Sequence, residues 1–142
     1  MKNREQFDTY MCDLQDVFDG EKDLVIISSG KSTLAYETAT MMAERANLHV
    51  ELAVLRCEDG LLHEHVFISG RVQNTVNTAL AAIRLIEKAK AGDLSRPELQ
   101  YYLGQMLGYS VADILNFVAS KVARDCPCDC CGGPFVSEEI TG

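Results

Sequence analysis

The chain has little positive charge: 13 Lys and Arg stand against 21 Asp and Glu in 142 residues, a formal net charge of −8. Nucleic-acid phosphates reward a basic surface, so this balance disfavours nonspecific nucleic-acid binding and favours solubility and basic partner surfaces. Long apolar runs are missing as well. No stretch approaches the roughly eighteen apolar residues of a membrane span, and the opening Met1-Lys2-Asn3-Arg4-Glu5-Gln6-Phe7 is charged where a signal peptide needs an apolar core. The expectation is a cytoplasmic protein with no membrane partner. A complete catalytic signature is also missing, since no Ser-His-Asp or Cys-His spacing pairs a nucleophile with its base. A binding role is therefore expected over an enzymatic one.

What is present reads as one domain over 1–124, long enough to bury a core without staples, followed by a Cys- and Gly-rich C-terminal tail over 125–142. Phe7, Tyr10, Met11, Leu14, Val17 and Phe18 recur at helical spacing, which predicts a helix over 4–18 that stops at Gly20. Leu24-Val25-Ile26-Ile27 predicts a buried strand over about 24–28, and an Ala- and Met-rich helix follows over 32–47. Alternation from Leu48 predicts a half-buried strand over 48–56, with a hairpin return over 64–68 after Glu58-Asp59-Gly60.

Three helices complete the expectation. Val72, Val76, Leu80, Ile83 and Ile86 stripe the first, which should end near Ala91-Gly92. The capping-box pattern Ser95-x-x-Glu98 opens the second, burying Leu99, Leu103, Met106 and Leu107 before Gly108. Ser110-x-x-Asp113 opens the third, with Val111, Ile114, Leu115, Val118 and Val122. The fold class is α+β: a small sheet covered by helices, with a C-terminal helical hairpin.

Four of the six cysteines, Cys126, Cys128, Cys130 and Cys131, fall within six residues. In a reducing compartment they are candidate metal ligands rather than a disulfide framework. Cys128-x-x-Cys131 has the gap of a zinc half-site, with Pro127 and Gly132-Gly133 to shape a knuckle, so zinc is the expected cofactor; the competing reading is a passive thiol-rich tail. His63-Glu64-His65 with nearby Cys57 matches no standard ligand spacing and reads better as surface histidines. Cys12 reads as a small buried hydrophobe on the first helix.

An echo at an offset of forty residues aligns Ser29-Gly30-Lys31 with Ser69-Gly70-Arg71 and Thr38-Ala39 with Thr78-Ala79. Each copy falls at a predicted strand-to-helix junction. There backbone N–H groups and an adjacent cation suit an anion, so Ser29, Gly30, Lys31, Ser32, Ser69, Gly70 and Arg71 are candidate ligand-binding residues of one divided site. Ordinary turn and cap chemistry explains the same residues. Ser29-Gly30-Lys31-Ser32-Thr33 also matches the end of a P-loop, but Val25 stands where its first glycine belongs.

Leu103-Gly104-Gln105-Met106-Leu107-Gly108-Tyr109, with the flanking helices over residues 99–120, resembles the L-G-x-x-L-G-Y helix-turn-helix ending of small tailed-phage proteins of unassigned role. The resemblance implies a phage origin and assigns no active residues. The functional expectation is a small phage-encoded binding protein, a homo-oligomer, that modifies a host process by stoichiometric interaction with a host protein. The alternatives are an anion- or nucleotide-binding, ligand-sequestering protein and a small metal-binding protein.

Overall fold

In Leu24–Ser28 (β1) every side chain is buried, which a strand reaches only when both faces of its sheet are covered. The computed structural model describes residues 2–30, 33–56, 61–73, 75–123 and 135–137, and it places that cover on both sides. β1 pairs antiparallel with Leu62–Arg71 (β3), which pairs antiparallel with Leu48–Arg56 (β2), giving the order β1-β3-β2. Register is fixed by the pleat. Val25 and Ile27 lie beside Ile68 and Val66 and face one layer, whereas Leu24, Ile26 and Phe67 face the other.

The first layer is Lys2–Phe18 (α1) with Thr33–Arg45 (α2). Tyr10, Leu14 and Val17 descend from α1, and Ala35, Ala39 and Ala43, four residues apart, let α2 lie close on the sheet. The second layer is Thr78–Lys90 (α3) with Arg96–Met106 (α4), which contribute Ala79, Ala82, Ile86, Leu99 and Leu103. Val111–Ser120 (α5) packs on α4 as a C-terminal helical pair. The architecture is α+β. Lys121–Ala123 (β4) then pairs antiparallel with Phe135–Ser137 (β5), so part of the expected tail is a strand returning to the end of α5.

Three local expectations are corrected. β3 runs on to Arg71, past the 64–68 expected, because Ser69 and Arg71 still pair with His49 and Leu48. α3 consequently starts late, at Thr78, where the Asn77 side chain accepts a hydrogen bond from Leu80 N at 3.0 Å and caps the helix. Val72 and Val76 precede it and are exposed. Cys12 is exposed rather than buried, because it lies two residues from both Tyr10 and Leu14 and so about 200° around the helix from the buried stripe.

The Ser95 capping box forms as read. Ser95 Oγ accepts from Glu98 N at 3.3 Å and Glu98 Oε1 accepts from Ser95 N at 3.2 Å, and the Ser95 contacts hold the Glu98 carboxyl below its usual range. Ser95→Ala is expected to destabilise the fold by about 1 kcal/mol in urea unfolding. No measurable change would show that α4 is held by packing alone.

Candidate functional site

The two Ser-Gly turns do not meet. Ser28 pairs with His65 and Leu24 with Ser69, so antiparallel pairing sets the turns at opposite ends of the sheet, roughly 15–20 Å apart at the usual strand rise. Their groups also serve the fold. Ser29 N donates to Glu64 O at 2.9 Å and Gly30 N to Ser28 Oγ at 3.1 Å, so both N–H groups turn inward. Gly30 has a packing reason too: a Cβ there would stand 2.6 Å from the His63 ring. Ser69 is buried and its Oγ accepts from Ala79 N at 3.0 Å in the first turn of α3. Arg71 places its guanidinium 4.9 Å over the Phe18 ring. Lys31 and Ser32 lie outside the described residues.

Cys126, Cys128, Cys130 and Cys131 also lie outside them, as does Cys57. Among the described residues, no three His, Cys, Asp or Glu side chains gather as a metal site. His65 is fully buried rather than at the surface as expected, because it shares the core face of β3 with Phe67; its Nδ1 lies 2.9 Å from His63 O, while Glu64 points to the opposite face and accepts from the Tyr36 hydroxyl at 3.3 Å. Burial, then the Glu64 charge, pushes the Tyr36 hydroxyl's pKa up.

A different place combines shape with charge. A groove of about 590 Å³ runs between α3 and α4. Asn77, Leu80, Ala81, Arg84, Leu85 and Lys88 share one stripe of α3, while Tyr102, Gln105 and Met106 share one of α4. Leu80, Leu85 and Met106 supply apolar wall, and Tyr102 supplies a ring and a hydroxyl. Arg84 and Lys88 stand one turn apart, and neither forms an ion pair among the described residues. Like charges at that spacing cost a helix a few tenths of a kcal/mol, so packing alone does not favour the pair. Lys88 has a second reason for its charge, since it lies in the last turn of α3 against the carbonyl end; Arg84 lies outside that turn.

Asp23 closes the other end of the groove beside Asn77. Asn77 to Arg84 spans about 10 Å of helix and Asn77 to Lys88 about 16 Å. The groove therefore offers cations at one end, a carboxylate and an amide at the other, and apolar surface between. By contrast, Lys22 in the neighbouring recess is committed: its Nζ lies 2.8 Å from Asp13 and 3.7 Å from Asp16. The hydrogen bond to Asp13 holds its pKa above the usual lysine value.

No protein-family model, curated protein or solved structure matches the chain. No helix among the described residues is long and apolar enough to cross a membrane. Sequence reading missed Arg84, Lys88, Tyr102 and Gln105. The signal was there in the cationic i,i+4 step of Arg84 and Lys88, but Glu87 lies three residues after Arg84, and which groups faced the step depended on how α3 and α4 pack.

Proposed function

We propose that the protein is a binding protein whose α3–α4 groove takes a small organic anion of about mononucleotide size. The observation that carries this reading is the Arg84–Lys88 pair, unneutralised among the described residues and set beside an apolar wall, in a chain of net charge −8. Two adjacent cations favour a phosphate or carboxylate by charge-assisted hydrogen bonds, Tyr102 offers a face for a planar ring, and Asp23 accepts from an amine at the far end. The resemblance of residues 99–120 to small tailed-phage proteins gives this a setting. A phage-encoded protein that sequesters a host metabolite alters the host in proportion to its own amount.

Calorimetry against inorganic phosphate, nucleoside monophosphates, cyclic nucleotides and sugar phosphates tests the reading. One ligand per chain, recovered chemically intact, is the expected result. No binding across the panel removes the groove as an anion site, and steady conversion of a bound compound replaces binding with catalysis.

A second reading is favoured by the β4–β5 pairing. Ala123 opposite Phe135 joins both ends of the segment that carries Cys126, Cys128, Cys130 and Cys131, which suits closure around one ion. Four thiolates make a complete tetrahedral zinc set. Elemental analysis should then find about one zinc per chain, lost in Cys128→Ser with Cys131→Ser and weakening as falling pH protonates the thiolates. Protein purified metal-free with an unchanged fold and unchanged ligand binding would leave the cysteines a passive tail.

A further inference from the structure

We propose that β2 is a self-pairing edge, on which a second copy of this chain adds its own β2 antiparallel to form one continuous six-stranded sheet. In the order β1-β3-β2, β2 pairs on one side with β3 and is the longer of the two edges, with nine residues against five in β1. An open edge presents a row of N–H and C=O groups, and proteins that stay monomeric blunt it with Lys, Pro, bulges or inward charge. β2 contains neither Lys nor Pro, and its one charge on the α3–α4 face, Glu51 beside Phe67, accepts from the Asn77 amide at 3.5 Å. Its one irregularity falls at the start, between Leu48 and His49, which leaves an unbroken register to Arg56. Leu52 and Val54 are 62% and 59% exposed on the face where their neighbour Val66 joins the α1–α2 core. These two side chains lie on that face without comparable cover.

The sequence of the edge decides in favour of a second copy. Antiparallel pairing about Leu52 sets Leu52 against Leu52 of the other chain and each Val50 against Val54, an apolar cluster on one face. On the opposite face each Glu51 meets Ala53 and each His49 meets Leu55. No like charges stand opposed. Pairing about Glu51 would instead oppose two carboxylates, so charge selects against that register. A strand-pair interface is small, which makes the association concentration-dependent. Each chain carries a net charge of −8, so the copies repel at long range and salt should strengthen the dimer by screening.

Sedimentation equilibrium of the full chain from low to high protein concentration, in low salt and in 0.5 M salt taken as roughly a 4 Å screening length, tests this. A monomer–dimer equilibrium shifted toward dimer by salt is expected. Leu52→Lys, which opposes two lysines at the symmetry axis, should weaken association at least about tenfold, while Leu34→Lys, the same charge change at a 65% exposed site on α2, should leave it unchanged. Circular dichroism checks that both variants fold. As an independent reading, Leu52→Cys should yield, on mild oxidation, a disulfide joining position 52 of two copies, mapped by peptide mass spectrometry. A chain monomeric at every concentration and salt, or a dimer indifferent to Leu52→Lys and without the position-52 cross-link, overturns the proposal and leaves the edge to a different chain.

Discussion

Phe67→Ala is expected to destabilise the protein by about 3–5 kcal/mol, the range for truncating a fully buried aromatic side chain. Phe67 sits on the central strand, pairs with Ile26 on one side and Glu51 on the other, and faces the layer built by α3 and α4. The cavity left by its ring would open beneath two helices at once, and the β-sheet backbone has little freedom to collapse into it. Domains of this size hold only about 5–15 kcal/mol in total, so the variant should unfold at markedly lower urea with an unchanged m-value. Leu34→Ala is the matching control: it lies on α2, is 65% exposed and stands outside the β2 edge, and it should shift stability by less than about 1 kcal/mol. Equal effects at the two positions would contradict the assignment of β3 as the centre of a two-faced core.

The elements that were legible in the sequence are those whose signal is local. Leu24-Val25-Ile26-Ile27 has no polar position, and a strand without one is buried on both faces. Ser95 and Glu98 carry both halves of a cap within four residues. Gly20 and Gly108 take φ of 82° and 94° where the reading placed helix ends. Local pattern misled where tertiary pairing overrode it: Val72 and Val76 fit a helical stripe, but β3 extends to Arg71 and the Asn77 cap starts the helix afterwards. The two Ser-Gly segments do not form one divided site, for a related reason. Similar letters fell at the end of β1 and inside β3, and antiparallel pairing put them at opposite ends of the sheet. A groove between two helices is a property of their packing, so Arg84, Lys88 and Tyr102 acquired a shared meaning only once α3 and α4 were set side by side.

Replacing both cations of that groove by Glu should abolish binding of an anionic ligand, a loss of at least about a hundredfold. Each charge-assisted hydrogen bond removed costs about 1.5–3 kcal/mol, and each 1.4 kcal/mol is a factor of ten, so Arg84→Ala or Lys88→Ala alone should weaken binding by roughly 10- to 100-fold. Both side chains are exposed, so folding should be nearly unaffected in the Ala variants, where relief of their mutual repulsion offsets the lost contact of Lys88 with the carbonyl end of α3. Because the two cations share one ligand, the double Ala variant should deviate from the sum of the single losses. Salt should weaken ligand binding, since the attraction is between charges near water, which is the reverse of its expected effect on the β2 dimer. Tyr102→Ala should discriminate among ligands: a loss for compounds with a planar ring and little change for sugar phosphates or inorganic phosphate. Calorimetric titration of all five variants with the best ligand of the panel measures this. Binding that survives the double Glu substitution would place the anion elsewhere on the protein and leave Arg84 and Lys88 as solvated charges on the surface of α3.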